Sequence, residues 1–296
     1  MYNKAPGPLN KVTAVESSFF QPFSMFESFG FCELTDILTY VEECLVSGIV
    51  HPGFGGNGLT TKQSAPEGEP DGVLIAYPPQ MRSGVLSRLL IQGERKILVG
   101  ATVYFSEGTI NRFELDSISL SDDRSDAVLH GTLAGEIQIS LYEPSFLGDR
   151  IWHGAGADHD IALYAIAYHY KTGVPPPIDM QDPFKRDGSK TKLRFDEAAF
   201  IVPIKDAPPS YYAVVGPVKK VSSYGLTVCN QEIIVIRVAM ARIDSEDDES
   251  EALKDIDVDV YVSQYLFDKC GIPNVGDIFQ VNVRMCSRLW MANPYR

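Results

Sequence analysis

The chain has 296 residues, 45% hydrophobic and 22% charged, the composition of an ordinary globular protein with room for two domains or one large all-β domain. Its formal net charge of −13 argues against non-specific nucleic-acid binding by the molecule as a whole, because neutralising phosphate needs Lys and Arg. No apolar run reaches the roughly 18 residues of a membrane-spanning helix, and Met1 to Pro8 lacks an apolar signal core, so a cytoplasmic protein with no membrane partner is expected.

Residues 1–30 read as an irregular arm whose aromatics, Phe19, Phe20, Phe23, Phe26 and Phe29, together with Phe31, dock onto the core. Glu33 to Ser47 is the best helix, with Leu34, Ile37, Leu38, Val41, Cys44 and Leu45 at i, i+3, i+4, i+7 spacing and Gly48 placed to end it. The glycine-rich stretch His51 to Lys62 lacks the G-K-[ST] order of a phosphate loop and reads as a surface loop running on to Pro70.

Strands follow. Val73–Tyr77 and Ile97–Phe105 are apolar and β-prone. Asn111–Leu120 alternates, with Phe113, Leu115, Ser117 and Ser119 on one face and Glu114, Asp116, Ile118 and Leu120 on the other. Ala127–Tyr142 alternates again, after the polar turn Ser121–Asp126. Ile161–Tyr170 is apolar throughout and is read as a strand buried on both faces, with a helix as the alternative. Pro175-Pro176-Pro177 opens a polar linker. No internal repeat is visible. The five cysteines, Cys32, Cys44, Cys229, Cys270 and Cys286, have no metal or redox spacing and read as buried free thiols of a reducing compartment.

From Tyr211 to Trp290, β-branched and aromatic runs alternate with Gly, Pro and Asn, including a turn expected at Tyr224-Gly225. The segment Tyr211 to Arg296 holds nine bases and twelve acids, and nine of those acids fall in Asp244–Asp259. The acid is therefore concentrated in one loop, Asp244–Glu251 being read as solvated, beside a mildly basic module whose strand runs include Ile233–Met240 and Ile256–Val262. Two stretches, Tyr211-Tyr212-Ala213-Val214-Val215-Gly216-Pro217-Val218 and Val275-Gly276-Asp277-Ile278-Phe279, resemble an OB-fold: Gly216 stands where an early strand bends, and the Gly-Asp turn leads into a closing strand. The resemblance covers about 80 of the 296 residues. It implies single-stranded nucleic-acid binding by stacking and phosphate contact. The residues available for that are Tyr212, Lys219, Lys220, Tyr224, Arg237, Arg284 and Arg288.

The densest polar cluster is Trp152 to Asp160. His153, Asp158 and His159, with His169 further on, could ligate a divalent metal, since neutral imidazole and carboxylate suit such ions. No catalytic motif is present, no G-x-S-x-G elbow among them, and no cofactor is called for beyond that metal. The expectation is a mainly β (α+β) protein. An antiparallel β domain with one packed helix spans 1–174, a linker and short element span 175–204, and an OB-like barrel spans 205–296. The favoured function is a non-enzymatic binding or assembly protein of bacterial or phage type, acting through a protein partner or self-association. The alternatives are nucleic-acid binding by the barrel and a metal-dependent hydrolase at His153, Asp158 and His159.

Overall fold

A computed structural model describes residues 12–14, 24–31, 33–50, 71–78, 83–92, 94–122, 124–149, 153, 158–176, 178–181, 190–193, 199–243 and 254–290. The glycine-rich stretch 51–70, the arm aromatics Phe19, Phe20 and Phe23, and the acidic residues 244–253 lie outside them. Among the described residues the chain is mainly β. In order it runs β1 (Val12–Ala14), a 3-10 turn (Ser24–Phe29), α1 (Leu34–Ser47), β2 (Ile49–Val50), β3 (Gly72–Tyr77), β4 (Ser83–Gln92) and β5 (Arg95–Phe105). Next come β6 (Thr109–Leu120), β7 (Ala127–Leu133), β8 (Ile137–Glu143), α2 (Phe146–Asp149), β9 (Asp158–Thr172), β10 (Ile178–Gln181), β11 (Lys190–Leu193) and β12 (Phe200–Pro203). Last are β13 (Tyr211–Val228), β14 (Gln231–Ile243), β15 (Lys254–Ser263), α3 (Gln264–Cys270) and β16 (Ile278–Leu289). None of the described helices is long and apolar enough to cross a membrane.

Ten strands form one sheet that closes on itself twice. The first ring runs β6–β7–β8–β16–β9 and back to β6. The second runs β13–β14–β15–β9–β16 and back to β13. Each ring is built from three strands in an antiparallel meander, a short helix and a fourth strand; its fifth member is the fourth strand of the other ring. In each, the lent strand pairs in parallel with the third strand: Tyr142 with Cys286 in the first, Asp259–Tyr261 with Tyr164–Ile166 in the second. The chain therefore contains a structural repeat that its sequence does not display. The antiparallel ladder β9–β16 is common to both rings. The expected units 1–174 and 205–296 share this ladder, and the expected linker carries the hairpin β10–β11 and the edge strand β12.

Side-chain alternation explains the interior. On β9, Ile161, Leu163, Ala165 and Ala167 point into one continuous core, as do Phe279, Val281, Val283 and Met285 on β16. Phe146 of α2 and Leu266 of α3 plug the same core, one per ring. The opposite face of the ladder, with Tyr164, Ile166 and Cys286, lies under Met25, Phe26 and Phe29 of the 3-10 turn and under Val85, Val103 and Phe105 of a four-stranded sheet, β2–β3–β4–β5. That double burial is why Ile161–Tyr170 reads as an unbroken apolar run. The helix α1 packs Ile37, Val41 and Cys44 inward, while Leu38 and Leu45 stay exposed at its margins.

Two local expectations change. The alternation expected on β6 breaks at a register shift between Leu115 and Ser117, so Phe113, Leu115, Ile118 and Leu120 all reach one core. At Tyr224-Gly225 the strand β13 does not turn: the φ of +65° at Gly225 belongs to a bulge, and the hairpin turns at Cys229-Asn230, where both residues have positive φ.

Candidate functional site

The seven residues expected to bind nucleic acid do not form one surface. Tyr212 points into the core, where its hydroxyl accepts the Ser140 N–H at 2.8 Å. Arg284 is 3% exposed, its guanidinium 3.7 Å from the Tyr142 ring centre and 5.3 Å from that of Tyr211. Burial also holds Arg288 among Tyr104, Tyr164, Glu143 and Asp149. On the outer face of the second ring, Arg237 makes a two-pronged contact with Asp259 at 2.8 and 2.9 Å, and Lys219 reaches Asp255 and Asp257 at 2.8 Å each. Lys220 and Tyr224 are exposed and lie together, Nζ 3.2 Å from the phenol oxygen.

Those contacts correct the expectation that the module's acid is concentrated in one loop. Asp255, Asp257 and Asp259 sit on β15, alternating with the buried Ile256, Val258 and Val260. Their carboxylates face the bases of β13 and β14. Lys219, Arg237 and Arg242 are thus paired within the fold instead of forming a phosphate track.

The first ring carries a different outer face. His130 Nε2 lies 2.7 Å from Ser119 Oγ and its Nδ1 lies 2.8 Å from Ser140 Oγ, a hydroxyl–imidazole–hydroxyl row across β6, β7 and β8. Beside it Gln138 donates to Thr132 at 2.6 Å. Burial lowers the His130 pKa, which favours the neutral ring.

A buried charged network joins the four-stranded sheet to the ladder. Arg88 donates to Tyr142 at 2.7 Å and pairs with Asp126 at 2.9 Å, both partners nearly fully buried. Glu143 is 0% exposed; Ser145 donates to it at 2.5 Å and Ser287 at 3.0 Å. Desolvation, reinforced by Asp149, pushes its carboxyl up to about 8. A small pocket nearby, lined by Leu86, Tyr104, Phe105, Ser145, Tyr164 and Arg288, holds ≈ 210 Å³ with its open mouth included. That falls short of the roughly 300–1,000 Å³ of small-molecule sites.

The His/Asp cluster divides. The rings of His153 and His159 meet edge to face with centres 5.7 Å apart. Asp158 lies on the other side of β9 from His159, because neighbours on a strand point to opposite faces, and it pairs with Arg112 in solvent. His169 is exposed ten residues along β9, about 33 Å away at 3.3 Å per residue. Among the described residues no three His, Cys, Asp or Glu side chains gather into one cluster. Cys44, Cys229 and Cys286 are buried free thiols as expected, but Cys270 is exposed.

No family model matches this chain, and comparison with curated proteins and with solved structures finds no match. Sequence reasoning missed Arg88 and the Ser119–His130–Ser140 row. A lone Arg inside Val85-Leu86-Ser87-Arg88-Leu89-Leu90 is a legible sign of a buried pair. The row had no sign, since cross-strand neighbours depend on register.

Proposed function

We propose that the protein is a non-enzymatic binding and assembly module, and that it associates with a second copy of itself through one end of the second ring. The observation that carries this is an exposed aliphatic group at that end: Val174 is 55%, Ile272 53% and Val275 65% exposed. Backbone bonds bring their segments together there. Gly173 N–H donates to Ile278 O at 2.9 Å, Gly276 N–H donates to Val218 O at 2.8 Å, and the Tyr170 hydroxyl donates to Gly271 O. The same end exposes Lys171, Asp268 and Lys269. Both signs of charge beside an apolar patch suit an isologous contact, in which one surface must complement itself.

Sedimentation velocity over a range of concentrations tests the reading. The expected result is a dimer that strengthens with added salt, because screening relieves the repulsion between two copies of net charge −13 while leaving the apolar contact. Val174→Asp with Val275→Asp shifts it to monomer, and a bismaleimide that links wild-type copies through the exposed Cys270 no longer does so. A single monomeric mass at every concentration, with no cross-link, overturns the reading.

A second reading, single-stranded nucleic-acid binding by the second ring, is supported by its connectivity and by the exposed Lys220–Tyr224 pair. A meander, a capping helix and a parallel closing strand are what an OB-like barrel would have. A labelled-oligonucleotide titration at low salt, in wild type and in Lys220→Glu with Tyr224→Ala, decides it; no binding at micromolar protein removes it.

A further inference from the structure

We infer that His153 and His159 form a two-imidazole seat for a borderline divalent cation such as Zn²⁺, Co²⁺ or Ni²⁺, one that ties His153 to β9. His153 is 1% exposed, and among the described residues neither of its ring nitrogens has a hydrogen-bond partner. The Nε2 of His159 is likewise buried without one. A buried imidazole with two idle nitrogens calls for an explanation, since such groups are nearly always satisfied by protein, water or an ion.

The geometry fits a shared metal. With a metal–nitrogen bond of about 2.0–2.1 Å each ring centre lies about 3.2 Å from the ion, so two imidazoles on one tetrahedral ion have centres about 5–6 Å apart. The observed separation is 5.7 Å, with the ring planes at 69°. The ring of Phe146 of α2 stacks against that of His153, with centres 5.8 Å apart and planes at 21°. Desolvation depresses both imidazoles, His153 to about 3, so both lone pairs are free of protons at neutral pH, as metal ligation needs. With two protein ligands, water completes the shell, and the soft-to-borderline nitrogen set favours transition metals over Mg²⁺ or Ca²⁺. Asp158 and His169 take no part, for the reasons of position given above.

The test uses the full-length chain, free of any histidine tag and stripped with chelator. Thermal melting with and without Zn²⁺ or Ni²⁺ is expected to show a rise of about 2–4 °C at saturating metal. Co²⁺ is expected to give visible d–d absorption at one equivalent. His159→Gln, at a half-buried position, removes both signals while circular dichroism stays native, and His153→Gln does the same if it folds. His130→Gln and His169→Gln keep them. No shift and no Co²⁺ spectrum in wild type, or signals that survive His159→Gln, overturn the inference.

Discussion

In the first ring the outer side of β7 and β8 carries two hydroxyls, an amide and one imidazole: Ser140, Thr132, Gln138 and His130. In the second ring the matching side of β14 and β15 carries ion pairs, Arg237 with Asp259 and Arg242 with Asp255. Toward the shared ladder the faces converge. Val128 and Tyr142 in one ring, and Ile233, Val235 and Tyr261 in the other, all enter the same second core. Inside, both rings follow the two-residue alternation that closure demands. The difference shows what the fold fixes and what it leaves open. Closure dictates the inner residues and the covered ends of the outer faces; the exposed remainder is free to differ. Function in this molecule is to be sought on that remainder, where the two halves diverge.

The comparison breaks most sharply if the first ring loses its clamp to the four-stranded sheet. Arg88→Met takes the guanidinium from the buried Asp126 and is expected to cost about 3–5 kcal/mol, read as a fall in the urea midpoint. Adding Asp126→Asn should recover a large part. A smaller, matched pair of changes compares the rings directly. A Cβ at Gly131 would overlap the Glu114 carbonyl oxygen in the first ring, and one at Gly216 the Ala239 carbonyl oxygen in the second. Each Gly→Ala change is expected to cost about 1–3 kcal/mol. Because β9 and β16 belong to both rings, either variant should still unfold in one transition, with near- and far-ultraviolet dichroism coinciding. Two separated transitions would show that the rings are independent.

Much of this plan was legible in the residues. The helix α1 and the strands β3 and β5 are plain in the residues, and β6 and the first half of β13 are legible as strands though their bulges are not. β4 was missed because Ser83 to Leu90 is buried on both sides and shows no alternation. The repeat was hidden because sequence periodicity reports which face a residue takes, and strand partners lie as far apart as Thr109 and Leu163, or Tyr211 and Arg284. The candidate site was legible only as a set of residue types. Arg284 and Tyr212 look like binding residues on paper, but β16 and β13 turn them inward, and which face of a strand is covered is a tertiary fact.

A pH series sharpens the first ring's distinctness. Glu143 has its folded pKa raised to about 8 from 4.5, so the native state holds its proton where the unfolded state has lost it, and stability falls as pH rises between those values. His153 has its folded pKa lowered to about 3 from 6.5, so the unfolded state takes up the proton first, and stability falls as pH drops between 6.5 and 3. Each proton contributes a slope of up to about 1.4 kcal/mol per pH unit. The two oppose each other between 4.5 and 6.5, giving a plateau there. Chemical denaturation from pH 4 to 9 is expected to show the decline above pH 6.5 vanish in Glu143→Gln, while the acid limb remains.

The smallest expected effect separates the two outer faces by their response to salt. The Arg237–Asp259 pair is 39% and 11% exposed at its side chains, so water screens it, and Asp259→Asn is expected to cost about 0–1 kcal/mol at low ionic strength. At about 1 M salt the Debye length shrinks to about 3 Å and most of that difference should disappear. On the first ring, Ser140→Ala removes a hydroxyl from a neutral imidazole, a loss of about 0.5–1.5 kcal/mol that ionic strength does not screen. Urea midpoints of the two variants at low and high salt should therefore cross over: the second-ring variant approaches wild type, and the first-ring variant stays where it was. If Ser140→Ala also recovers in salt, His130 carries a charge, and the Ser119–His130–Ser140 row is not the neutral row that sets it apart from the ion pairs of the second ring.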